Sequence, residues 1–138
     1  MCEEAIYDFL LNEFKTRFEW LNLSDDVQGS AAGLPTVLMD SVISRRFAEE
    51  FNKDPGSKDK WASFFDFLEE LLDSGDSSVT DVIETTIIEM IAADYDVKLE
   101  SVLPYCGSRT RNSIYCSISD FYGKPQKAEN LKNRFSLH

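Results

Sequence analysis

Between Lys58 and Ser74 the apolar residues Trp61, Phe64, Phe65, Leu68, Leu71 and Leu72 recur three and four positions apart, while Asp59, Ser63, Asp66, Glu70 and Asp73 occupy the positions between them. A stripe of that period is brought onto one face by an α-helix and scattered by a strand. The same spacing returns on Ile6, Leu10, Phe14, Phe18 and Leu21, with Tyr7 and Leu11 widening the stripe. It returns again on Met39, Ile43, Phe47 and Phe51, flanked by Leu38 and Val42, and on Val79, Ile83, Ile87, Met90 and Ile91. A further stretch sets Ile114, Ile118, Phe121 and Tyr122 on one side. No run of five or more residues alternates apolar and polar between hairpin turns, so strands have no support and the fold class is all-α.

The breaks between stripes set the element boundaries. Asn22 to Gly33 is the longest loop candidate, and Pro35 suits the first turn of the helix after it. Asp54-Pro55-Gly56-Ser57 ends that helix, and Gly75 caps the next. Ser77 and Ser78 are the expected caps of a fourth helix, with Asp81 three residues after Ser78 in a capping-box arrangement. Val97 to Leu103 reads as a short helix or turn stopped by Pro104. In the tail 124–138, Leu131 and Phe135 lie four apart, enough for a short docking helix. A chain of 138 residues buries roughly 68–70% of its unfolded surface without a disulfide or metal. The expectation is one compact domain, 1–138, a bundle of about five to seven helices rather than a solenoid, since no period of 30 to 47 residues repeats.

Twenty-five acidic residues against fourteen basic ones give a net charge of −11, which repels phosphate and favours a basic partner. The excess is localised. Residues 59–100 hold 12 acidic and 2 basic side chains, whereas 1–58 hold 11 and 6, and 101–138 hold 2 and 6. Only Lys60 and Lys98 are at hand to compensate the middle segment by pairing along a helix. Such acids can be plain solvated helix faces. Packed this densely they also cost stability, so Asp66, Glu69, Glu70, Asp73, Asp76, Asp81 and Glu84 are the candidate partner-binding residues, suited to fast, salt-sensitive capture.

Catalytic signatures are missing. The one histidine is the last residue, His138, which removes Ser-His-Asp and Cys-His hydrolysis and histidine metal sites. Glycines at 29, 33, 56, 75, 107 and 123 form no phosphate-binding loop. Cys2, Cys106 and Cys116, at spacings of 104 and 10, match neither a disulfide framework nor a zinc site; Cys106 and Cys116 read as core or boundary residues. Asp73 to Glu84 has the length of a calcium loop, with Asp81 ninth and Glu84 twelfth. Gly75 stands third and Ser78 sixth, however, so a cap and turn is preferred. No enzyme activity, cofactor or metal is expected. Met1-Cys2-Glu3-Glu4 lacks the basic start of a secretory signal, and no apolar run nears the roughly 18–20 residues that span a bilayer, so a cytoplasmic protein with no membrane contact is expected. Gly107-Ser108-Arg109-Thr110-Arg111 puts two cations at a helix start, unfavourable unless neighbouring acids neutralise them; a bridge from Arg109 or Arg111 to the fourth helix is expected.

Several of these runs carry a likeness: Phe65-Asp66-Phe67-Leu68-Glu69-Glu70-Leu71-Leu72 with Ser74-Gly75-Asp76, Val82-Ile83-Glu84-Thr85-Thr86-Ile87-Ile88-Glu89, and Leu103-Pro104 with Gly107-Ser108-Arg109-Thr110-Arg111. Through them, roughly residues 35–120 resemble a family of small bacterial all-helical proteins that includes immunity proteins of contact-dependent growth inhibition systems. The resemblance implies a one-to-one complex with a cognate toxin domain, often a nuclease, whose active site is blocked. A nuclease must be basic to hold its substrate, and an acidic surface can mimic phosphates, so the charge points the same way. Trp20 or Tyr95, if exposed, could anchor the contact. Two other readings stand beside it: a helical adaptor binding a protein through an apolar groove, and a hydrolase with a carboxylate-bound metal.

Overall fold

The computed structural model describes residues 3–23 and 33–135, and among these there are seven helices and no strand. They are α1 (Glu3–Arg17), α2 (35–53), α3 (Lys58–Asp73), α4 (77–92), α5 (Leu99–Val102), α6 (108–121) and α7 (Pro125–Arg134). Cys2, residues 24–32 of the long loop candidate, and His138 lie outside the described residues. The all-α expectation holds, and the apolar stripes are the inner faces. Leu10, Phe14, Met39, Ile43, Phe47, Trp61, Phe64, Phe65, Leu68, Ile83, Ile87 and Ile91 are fully buried.

Packing is not a simple stack of neighbours in sequence. α3 lies against both α4 and α6, α2 crosses α4, α1 meets the start of α2, and α7 docks on α6. These non-neighbour contacts make one core of a bundle rather than the one-dimensional array of a solenoid. Its centre is aromatic: Phe47 and Phe64 stack at 4.7 Å and 6°, and Trp61 stands edge-on to Phe47 at 5.5 Å. The Trp61 indole N–H, which must find an acceptor when buried, donates to the Asp54 carbonyl at 2.7 Å.

Local chemistry explains the ends. α1 stops at Arg17, and a 3₁₀ turn, Glu19–Leu21, carries the chain on to left-handed Asn22. Arg46 of α2 donates to the Leu21 carbonyl at 2.8 Å and also to that of Asn22, pinning this end. Gly75 takes φ +80 after α3, as a C-terminal cap requires. The cap of α4 corrects the sequence expectation. It is Asp76, not Ser77 or Ser78, whose Oδ1 accepts from the backbone N–H of Ser78 at 3.0 Å and Val79 at 3.3 Å. Pro104 does not end α5 outright but sits inside a following 3₁₀ turn, Leu103–Tyr105. The docking helix is α7, anchored by buried Ala128 and Leu131, with Phe135 partly buried behind them.

Three helices contain π-helical stretches, Leu38–Ser44 in α2, Glu84–Ile88 in α4 and Ser117–Phe121 in α6. A π stretch inserts extra residue width into the helix and turns the residues beyond it. Phe121, expected on the inner side of α6, is accordingly 63% exposed. Tyr122 takes the inward place, its hydroxyl donating to the Glu89 carbonyl at 2.9 Å.

Candidate functional site

The seven candidate acids divide into two groups. Glu69 reaches from α3 to the start of α6. Its carboxylate accepts from the Arg109 backbone N–H at 2.9 Å, the Thr110 N–H at 2.8 Å and the Thr110 hydroxyl at 2.8 Å. Burial opposes the charge, but these bonds and the Arg109 cation outweigh it and hold the carboxyl below its ordinary value. Asp76 is the cap of α4, and Glu84 accepts from the Ser113 hydroxyl of α6 at 3.0 Å. Glu69 and Glu84 fasten helices together, and Asp76 closes the start of its own.

Asp66, Glu70, Asp73 and Asp81 are exposed. Asp73 pairs with Arg109 at 2.6 Å on open surface, and Glu70 lies 4.0 Å from Arg17. Asp66 and Asp81 have no ion-pair partner among the described residues. On α3 the row continues back through Ser63 to Asp59, all exposed, spaced four, three, four and three residues apart. At 1.5 Å per residue it runs about 21 Å along one helix face.

The Gly107-Ser108-Arg109-Thr110-Arg111 run is a lock rather than a free basic patch. Gly107 opens α6 with no side chain of its own, and a Cβ there would meet the Glu69 carboxyl carbon at 2.6 Å. Glycine is what admits the carboxylate to the helix start. Arg109 reaches Asp73 of α3, so the expected bridge exists but runs to the third helix, not the fourth. Buried Arg111 makes no such bridge. It donates to the carbonyls of Cys106, at 3.1 Å, and of Phe135, tying the lock to the end of α7.

A groove between α4 and α6 adjoins this lock. One end, about 310 Å³, is bordered by Leu72, Thr80, Glu84 and Arg109, and the other, about 200 Å³, by Ile88, Asp120 and exposed Phe121. Cys116 lies along both ends and is exposed, while Cys106 is buried, its thiol pushed up by burial against a smaller opposing pull from Arg111. Iodoacetamide at about pH 8 should therefore modify Cys116 in the folded protein and spare Cys106 until denaturant is added. Peptide mass mapping checks this, and equal labelling of both in the native state would contradict the burial.

Two of the three carboxylates of the calcium-loop near-miss are otherwise engaged, Asp73 by Arg109 and Glu84 by Ser113, and Asp81 is without an ion-pair partner among the described residues. Among the described residues no group of three or more potential ligands is placed to hold a metal, and no helix is long and apolar enough to cross a membrane. Of the two expected aromatic anchors, Trp20 is partly buried, edge-on to Trp61 at 5.2 Å, and Tyr95 is 89% exposed. Fold and surface together define an all-α protein with an acidic helix face. No protein-family model matches the chain, nor does any curated protein or solved structure.

Proposed function

We propose that the protein is a cytoplasmic immunity-type inhibitor that binds, one to one, the basic toxic domain of a contact-dependent inhibition effector, most simply a nuclease. The observation that carries the reading is the exposed acidic row on α3, together with exposed Asp81 on α4, paired among the described residues only with Arg17 and Arg109. Asp66, Glu70, Asp73 and Asp81 form the contact set. Glu69, Asp76 and Glu84 are left out of it, since each already accepts hydrogen bonding within the fold. Exposed acids gain little from internal pairing, so their natural use is long-range attraction, which sets association rate more than lifetime.

The test joins the chain to the toxic domain encoded by the neighbouring reading frame. Changing Asp66, Glu70, Asp73 and Asp81 together to their amides should slow association about tenfold or more at low salt and flatten its dependence on ionic strength. Unchanged rates, with helical circular dichroism intact, would overturn the assignment. Binding that ignores salt between about 50 and 500 mM would favour the apolar-groove adaptor instead.

A further inference from the structure

On another face, α2 and the turn after α4 enclose a cleft of about 290 Å³, bordered by Asp40, Ser44, Arg45, Glu49, Met90 and Asp96. Three carboxylates and one guanidinium line it, and Arg45 is already drawn to Glu49 at 3.6 Å. The floor holds an unspent polar group. Ser44 is 2% exposed, and its hydroxyl has no hydrogen-bond partner among the described residues. A buried hydroxyl left so is costly, and a ligand donor would satisfy it. On α4, burial first and the nearby Asp40 charge second raise the Glu89 carboxyl above its ordinary value.

Next in sequence to Asp96 of the cleft's border is Tyr95, the most exposed large apolar side chain among the described residues. Its turn is held from both sides. Asn52 of α2 donates to the Asp96 carbonyl at 2.7 Å, and Asp94 accepts from the Leu99 N–H at 2.8 Å and from Lys127 at 3.3 Å. The brace lowers the backbone part of the cost of ordering this ring in a contact.

We propose that this cleft receives an arginine side chain of a protein partner, with Tyr95 packed against the guanidinium. Arginine fits better than lysine: it carries five donors in a plane that stacks on aromatic faces, against acceptors at Asp40, Asp96 and Ser44. The inference leans on the proposed function only in taking the partner to be a basic protein, and it uses none of the four acids named there.

The probe is the peptide acetyl-Gly-Arg-Gly-amide, titrated into the full chain labelled with ¹⁵N and followed by amide shifts. Binding on the order of millimolar is expected, with shifts confined to residues 40–52 and 93–98 and none from the same peptide carrying glutamate. Tyr95→Ala should weaken it about tenfold and Tyr95→Phe little. Ser44→Ala should weaken it too while leaving the fold as stable or more so, an opposition a purely structural serine would not give. The amide variant of the α3 row should bind the peptide normally, so loss of the proposed function would leave this result standing. Shifts centred on α3, or indifference to Tyr95→Ala, would overturn the inference.

Discussion

Phe64→Ala should remove about 3–5 kcal/mol of stability, the range for truncating a buried phenylalanine, and no other single change described here is expected to cost more. The ring is fully buried and lies 5.2 Å from Phe18, 5.6 Å from Trp20, 4.7 Å from Phe47 and 5.4 Å from Phe65. Its loss opens a cavity where α1, α2 and α3 meet, and rigid neighbouring rings cannot collapse into it. Domains of this kind are stable by about 5–15 kcal/mol, so about a fifth of the total or more would go. Urea unfolding followed by circular dichroism measures it. Phe121→Ala, on the exposed ring, should move stability by no more than about 0.5 kcal/mol. A cost below about 1.5 kcal/mol for Phe64 would mean that the cluster is not the centre of the core.

The contrast between those two phenylalanines shows what the chain makes legible by itself. Periodicity placed Phe64 correctly because α3 is regular, and every residue of its stripe faces inward or nearly so. It misplaced Phe121 because a π-helical turn changes the angle per residue, and nothing in Ser117-Ile118-Ser119-Asp120-Phe121 announces that. Phe67 and Ile88, off the stripes, are buried because a second neighbour covers their side of the helix. Phe67 lies 5.2 Å from Phe14 and beneath the Arg17 guanidinium.

Among the acids, composition located the charge on α3 and α4 but could not say which carboxylates were free. Asp76 takes the capping role expected of Ser77 or Ser78, and Glu69 serves a helix start forty residues away in sequence. Local spacing holds no information about a contact of that range. The cleft at Ser44 and Asp96 is nonlocal in the same way, whereas Tyr95 is open to sequence reading only as an aromatic that could anchor a contact if exposed.

That forty-residue contact supplies the second large effect. Glu69→Ala should cost about 1.5–3 kcal/mol, because it strips a charged acceptor from two backbone N–H groups at the start of α6. Gly107→Ala should cost nearly as much by an indirect route: its Cβ would sit 2.6 Å from the Glu69 carboxyl carbon, and the flexible glutamate yields by swinging out of its hydrogen bonds. Both changes therefore break one interaction, and the double variant should be little worse than either single one. Additive costs would show that Gly107 is needed for some other reason. Acid titration separates the charge from the packing. The folded carboxyl of Glu69 lies below its unfolded value, so its contribution is complete above the unfolded pKa and is lost as pH falls through the folded one. The stability gap between the wild type and Glu69→Gln should close over that acid range and stay constant above it. In partner association the same variants should leave the salt dependence untouched, since Glu69 holds α3 against α6 and the charges that steer a basic partner stand outside it on Asp66, Glu70, Asp73 and Asp81.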